Sequence, residues 1–216
     1  MADAQDPHGS AHPPILVRLT SIVEPLAVER LFEHPAPIEV ELGSGDGGFL
    51  LRYACLHPER NFLGVERLLG RIRKLERKAP RLGLTNLRGL RLEAAYLLRH
   101  LLPPASIHAL HVYFPDPWPK KRHRARRLVN PDFPGLAARV LAPDGHVFLR
   151  TDDADYFAQM RDVFGAPTAF TSAETPGELA GVLTDFEAEF AAQGRPTLRA
   201  AWRLAPSTAQ TSITSR

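Results

Sequence analysis

Asp116 sits in a segment built for chemistry on a charged or planar partner, with Pro115, Pro117 and Pro119 around it and Trp118 between the last two. Each proline fixes its own φ, so the carboxylate is held with little ordering left to do when a partner arrives. Six cations follow within the eight residues 120–127, namely Lys120, Lys121, Arg122, Arg124, Arg126 and Arg127, with His123 among them. Such a strip can bind phosphates with an affinity that falls steeply with salt. Composition alone would equally allow a solvated basic loop.

A second constellation, Glu41-Leu42-Gly43-Ser44-Gly45-Asp46-Gly47-Gly48, closes an apolar run and opens a helical one. Glycines there permit positive φ and let the backbone approach a ligand closely. The spacing Gly43-x-Gly45-x-x-Gly48 fits the dinucleotide fingerprint. A pyrophosphate at this helix start would, however, meet the carboxylates of Asp46 and Glu41. Those acids suit a cation, and S-adenosylmethionine carries a sulfonium and an ammonium group and no phosphate. Glu66 follows about twenty residues after the glycines, where a carboxylate can accept from both ribose hydroxyls. The local alternatives are a surface Glu66 paired with Arg67 or Arg71, and an exposed strand-end Glu41.

Together these segments resemble the bacterial tRNA (guanine-N7)-methyltransferases. The resemblance rests on Glu41 to Gly45, on Gly64-Val65-Glu66, and on Phe114-Pro115-Asp116-Pro117-Trp118 with Lys120 and Arg122-His123. It extends to Arg126-Arg127-Leu128, Thr151-Asp152 and Thr184-Asp185-Phe186-Glu187, and spans roughly residues 38–202. It implies a Rossmann-like class I methyltransferase domain and S-adenosyl-L-methionine as the methyl donor. The implied cofactor residues are Glu41, Gly43, Gly45, Glu66, Glu93 and Asp116, and the implied substrate residues are Lys120, Asp152, Thr184, Asp185, Phe186 and Glu187. The implied reaction is methyl transfer to N7 of a guanine in the tRNA variable loop. Lys121, Arg122, Arg124, Arg126 and Arg127 are the candidate RNA contacts. The stretch before Ile38 and residues 167–182 carry no match.

Guanine N7 bears no proton at neutral pH, so its attack on a methyl group needs no general base. Alignment would dominate, and Asp116 is the candidate catalytic carboxylate, stabilising the positive charge that moves onto the purine. Local readings stand beside the functional ones. Thr184-Asp185-Phe186-Glu187 spells a capping box, Asp152 could cap the following helix, and Trp118 could stack on an exposed base or simply pack in its turn. Three other functions stay open: a nicotinamide-dependent oxidoreductase, an RNA-binding module that keeps the fold without activity, and a methyltransferase for an exocyclic amine of adenine. The last arises because Asp116-Pro117-Trp118 loosely resembles an Asp-Pro-Pro-Tyr turn.

The elements that must position these residues follow from periodicity. A chain of 216 residues with 44% hydrophobic composition suits one α/β domain over residues 15–205, between a flexible arm over 1–14 and a flexible tail over 206–216. Short apolar runs alternate with helical periods, which predicts a mostly parallel sheet with helices on both faces, and the methyltransferase resemblance implies seven strands in it. Strands are expected at residues 38–42, 61–65, 87–92, 107–114, 146–150 and 197–203, and helices at 47–57, 67–78, 94–101, 132–141, 155–164 and 185–192. Residues just past each strand then face the ligand crevice. The single cysteine, Cys55, excludes a disulfide framework and a Cys-rich zinc site and is predicted to be a buried thiol. His108 and His111, three apart on one strand, point to opposite faces and cannot share a metal, so none is expected. No run is long enough to cross a bilayer, and residues 1–14 lack the basic-then-apolar order of a leader, so a cytoplasmic address is expected. A monomer or a homodimer is expected. The pI of about 9.3 at a formal charge of only +3, with clustered arginine, points to a polyanionic partner such as tRNA.

Overall fold

The computed structural model describes residues 13–206, so nearly all of the expected arm over 1–14 and tail over 206–216 lies outside the described residues. The chain runs β1 (Leu16–Val17), β2 (Ile38–Leu42), α1 (Gly48–Leu56), β3 (Asn61–Val65), α2 (Leu69–Lys78), β4 (Leu87–Leu90) and α3 (Ala94–Tyr96, continued by a wider π turn over Leu97–Leu101). It continues through β5 (Ile107–Tyr113), α4 (Phe133–Val140), β6 (Leu141–Thr151), α5 (Ala154–Gly165), β7 (Phe170–Ala173), α6 (Gly177–Gly181), α7 (Asp185–Ala192) and β8 (Leu198–Leu204).

The strands form one sheet in the order β1-β4-β3-β2-β5-β6-β8-β7. Every pairing is parallel except those of β8, which runs against both β6 and β7. The expected count of seven is corrected to eight. Both edge strands lie outside the expected positions: β7 (Phe170–Ala173) is four residues long, and β1 pairs only Leu16 with Gly89 and Val17 with Leu90, too few residues to leave a period in the sequence. The strand expected at 146–150 is longer because α4 passes into β6 without a loop. The ladder then steps from Leu141 opposite Ile107 to His146 opposite Ala109, with Asp144 at φ 61° in the bulge.

Strand alternation sorts the core onto two faces. Val40, Leu42, Leu63, Val65, Leu110, Val112, Val147 and Leu149 share one cluster with residues of α4 and α5. Phe62, Ala109, Tyr113 and Phe148 share another with residues of α1 and α2. Glu39, Glu41, His111 and Arg150 alternate with the first set and are buried. A fully buried aliphatic side chain contributes about 1.5–3 kcal/mol, so four polar groups in that row forgo a large stabilisation. His111 is satisfied locally, by Glu39 Oε2 at 2.7 Å and the Tyr113 hydroxyl at 2.7 Å. Cys55 is exposed, which corrects the expectation of a buried thiol. Leu51 and Ala54 turn α1's apolar side to the sheet, leaving Cys55 outward beside the exposed Arg52 and Leu56. Among the described residues no helix is long and apolar enough to cross a membrane.

The crossovers from β2 lead through β3 to β4 on one side, while β5 and β6 lie on the other. The strand order therefore reverses between β2 and β5, and a ligand crevice is expected beyond their carboxyl ends.

Candidate functional site

Two recesses of about 400 and 410 Å³ open at that reversal and share Gly43, Arg71, Tyr113, Phe114 and Asp116. The first lobe is further lined by Glu41, Gly45, Asp46, Lys74, Thr184 and Phe186. The second is further lined by Glu66, Glu93, Trp118, Arg126 and Leu128.

The glycine turn forms the floor. The amides of Gly43 and Ser44 both donate to the Val65 carbonyl, at 2.8 and 2.9 Å, which folds the turn onto β3. Gly43 and Gly45 have φ of 86° and 57°, where a side chain would be strained. Glu66, 7% exposed, braces the turn: Oε2 accepts from the Gly45 amide at 3.1 Å and Oε1 from the Leu68 amide at 2.7 Å. It is thus neither a surface acid nor half of an arginine pair.

Glu41 is 4% exposed, and its Oε2 is a buried acceptor without a hydrogen-bond partner among the described residues. Burial pushes its carboxyl up to about 8, although Arg150 acts in the opposite direction. A neutral acid at a crevice wall can regain its charge once a cation lies beside it. Asp46 behaves differently. Partial burial would raise its carboxyl, but the hydrogen bond and charge of Lys78, 3.1 Å away, hold it below the usual range. The lobe is therefore not purely acidic, since Arg71 and Lys74 line it too.

The proline loop places Asp116 where both lobes meet. Its carboxylate is exposed and carries no hydrogen bond or ion pair to the described residues. Phe114 and Trp118 on either side have φ of 49° and 43°, values costly for non-glycine residues that persist only when their surroundings impose them. Arg127 supplies part of that constraint. It is 1% exposed, donates to the Pro117 carbonyl at 2.7 Å, Asp155 at 2.6 Å and Gln159 at 2.8 Å, and stacks 4.7 Å over Tyr156. The hydrogen bond from Arg127 is also the main reason the Asp155 carboxyl lies below its usual range.

The basic strip accordingly divides. Arg127 faces inward, and Arg124 pairs with Asp155 at 2.8 Å, so neither presents an unengaged cation to a phosphate. Lys120, Lys121, Arg122 and Arg126 are exposed, and Arg126 lies 5.1 Å over one face of Trp118. Trp118 also meets His123 edge-on at 5.8 Å, so packing accounts for it before any base arrives.

The substrate-side residues separate in the same way. The capping box is present: Thr184 accepts from the Glu187 amide at 3.0 Å, and Glu187 accepts from the Thr184 amide at 2.8 Å. Glu187, 2% exposed, is bound to Arg150 at 2.7 Å and Arg199 at 2.9 Å, and it does not line either lobe. Thr184, Asp185 and Phe186 do line the first lobe, with Asp185 paired to Arg52 at 2.9 Å and Phe186 packed 5.9 Å from Phe114. Asp152 pairs with Arg195 and lines neither lobe, and the cap of α5 is Asp153 instead. Glu93 lines the second lobe while capping α3, accepting from the Ala95 and Tyr96 amides at 3.0 and 2.7 Å.

Sequence reasoning missed Arg150 and Arg71. Arg150 donates to the Val182 and Leu179 carbonyls at 2.8 and 2.6 Å and lies 4.2 Å over Tyr113, tying α6 and α7 to the strand ends. Its signal was an arginine two residues past Phe148 in an otherwise apolar run. Arg71 gave none, being one cation among many on α2. His108 and His111 face opposite sides of the sheet, and among the described residues no group of His, Cys, Asp and Glu could hold a metal ion.

The sequence profile of a family described as "Putative methyltransferase" matches residues 35–200. A tRNA (guanine-N(7)-)-methyltransferase of Halorhodospira halophila is 37% identical over 187 residues, 84% of this chain and 81% of that protein. One of Alkalilimnicola ehrlichii is 42% identical over 66% of this chain and 60% of its own length, and one of Bordetella pertussis is 40% identical over 65% and 56%. The match thus spans somewhat over half the length of these last two relatives. Among solved structures, the 16S rRNA methyltransferase KamB superposes with a TM-score of 0.58 at 18% identity, over 83% of this chain and 91% of that one. The antibiotic-resistance methyltransferase Kmr gives 0.54 at 19%, over 80% and 89%. At such identities these two likenesses carry the fold alone. The profile runs from before β2 into β8, through the glycine turn and the proline loop, the Halorhodospira relative matches over most of both chains, and the chain belongs to the tRNA (guanine-N(7)-)-methyltransferase family.

Proposed function

We propose that this chain transfers the methyl group of S-adenosyl-L-methionine to N7 of a guanine in the variable loop of tRNA, acting in the cytoplasm. The observation that carries this reading is the orphaned, buried Glu41 Oε2 in a crevice whose two lobes meet at an unengaged Asp116.

The residues fit the methyl donor. Glu41 offers a buried acceptor to a cationic group, Arg71 and Lys74 line the same lobe and suit a carboxylate, and Glu66 retains acceptor capacity beside two backbone amides. Gly43 and Gly45 keep side chains off the floor. A dinucleotide is the weaker fit, because a pyrophosphate against the turn would lie beside Glu41 and Asp46. When bound, S-adenosylmethionine supplies an electrophilic methyl group on a sulfonium.

The chain's own residues then have little proton chemistry to do. The N7 lone pair lies in the plane of the purine and is free at neutral pH, so the site must orient the base and exclude competing water. Asp116 can accept from the N–H groups of the base and, being fixed, stabilises positive charge arriving on the ring. Lys120, Lys121, Arg122 and Arg126 hold the flanking phosphates. Arg127 works from beneath by fixing the Pro117 carbonyl.

Incubation with labelled S-adenosylmethionine and unmodified tRNA, followed by nucleoside analysis, tests the proposal. The expected product is 7-methylguanosine. Label on an exocyclic amine, or none in tRNA, refutes it.

A further inference from the structure

The first lobe does not end at Lys74. A further recess of about 410 Å³, sharing Asp46 and Lys74 with it, is lined by Arg77, Lys78 and Arg81. Arg71, Lys74 and Lys78 recur at three- and four-residue spacing on α2, so they lie along one side of the helix, and Arg81 extends the row in the turn that follows. Ile72, Leu75 and Ala79 occupy the adjoining side and are fully buried.

Among the described residues, Lys78 alone in this row has a carboxylate partner, Asp46. Arg71, Lys74, Arg77 and Arg81 are exposed and make no ion pair among the described residues. Like charges at such spacing weaken a helix, and nothing in the packing of α2 calls for them. An anionic partner would reverse that effect.

The geometry points to α2 and the turn after it as a second RNA-backbone surface, on which the unpaired Arg77 and Arg81 hold phosphates of the substrate away from the reacting guanine. This rests on tRNA being the substrate, and adds a docking track independent of the strip after Asp116. The two tracks reach the crevice from different sides, through Lys74 and Arg71 on α2 and through Arg126 on the other. An anionic bilayer fits less well, because an amphipathic helix binds membranes by inserting an apolar side, and that side of α2 is buried against the sheet.

The test uses Arg77→Gln with Arg81→Gln, two residues outside both lobes of the crevice. Binding of an unmodified tRNA transcript is measured across a salt series beside the parent chain. Each cation lost should lower the slope of log affinity against log salt by about 0.7–0.9, so the double variant should lose about 1.4–1.8. S-adenosylhomocysteine affinity should stay unchanged, which verifies the fold, and Arg77→Lys with Arg81→Lys should restore the slope. An unchanged slope in a parent that does methylate tRNA overturns this surface alone. A parent that neither binds nor methylates tRNA overturns both the surface and the proposed function. Parent affinity for phosphatidylserine vesicles matching that for tRNA, and lost in the variant, would assign the row to a bilayer instead.

Discussion

Arg150 and Glu187 meet at 2.7 Å with both side chains 1% exposed, joining the end of β6 to the first turn of α7. Removing one partner of such a pair strands the other in a low dielectric, at a cost of about 3–5 kcal/mol. Glu187→Ala should therefore lower stability by about that amount in denaturant unfolding. A loss below about 1 kcal/mol, the range of surface pairs, would show the pair to be solvated. Burial raises the Glu187 carboxyl, but the Thr184 amide, Arg150 and Arg199 together hold it below its ordinary 4.5. Because the folded-state value is depressed, this stabilisation is present above pH 4.5 and fades as pH falls through the folded value. The variant should lose that part of the parent's acid sensitivity.

Glu41 has the opposite sign. The unfolded carboxyl ionises near 4.5, whereas the folded one keeps its proton to about 8, so stability from this group declines as pH rises between those values. Glu41→Gln should remove that decline and leave the ligand-free chain at least as stable as the parent at alkaline pH. Cation binding should expel the proton, so S-adenosylmethionine affinity should rise by up to about tenfold per pH unit on approaching pH 8 and then level. Calorimetry in buffers of different ionisation enthalpy reads the released proton directly, and finding none in the parent near neutrality would refute this coupling.

Asp116→Asn keeps the shape of the loop and removes its charge. Single-turnover methyl transfer at saturating tRNA should fall by about 10²-fold or more, in line with removal of one preorganised electrostatic group, while S-adenosylhomocysteine binding persists. A near-normal rate would remove Asp116 from the catalytic step.

Lys121 and Arg127, six positions apart, should fail in different assays. Lys121→Ala should cut the salt slope for tRNA by about 0.7–0.9 with stability within about 0.5 kcal/mol of the parent. Arg127→Ala should instead unlatch the proline loop, lowering the melting temperature and turnover, because it leaves the Pro117 carbonyl without its donor. If Arg127→Ala altered only the salt slope, the guanidinium would have to face RNA.

The framework was readable because hydrophobic period and glycine spacing are local. β2, β3 and α7 begin and end where expected, and Glu41, Glu66 and Asp116 line the crevice as strand-end residues should. Pairings between distant residues were not readable. Arg127 meets Asp155 and Arg150 meets Glu187 across separations of 28 and 37 residues, so a run of arginines could not be divided into outward and inward members beforehand. Cys55 as a buried thiol and Asp152 as a helix cap failed for a smaller reason, since one residue of rotation or offset decides which side chain faces the sheet and which caps the helix.

Glu66 joins two loops, Oε2 accepting from the Gly45 amide of the glycine turn and Oε1 from the Leu68 amide at the start of α2. Substitutions there cannot be interpreted as the loss of a single contact. A shorter acid or an amide would slacken the loop and weaken the ligand's grip together, so the entropic and the recognition losses would appear as one affinity. On the proposed reading, this one position answers to two selective demands, the shape of the glycine turn and the sugar of the methyl donor.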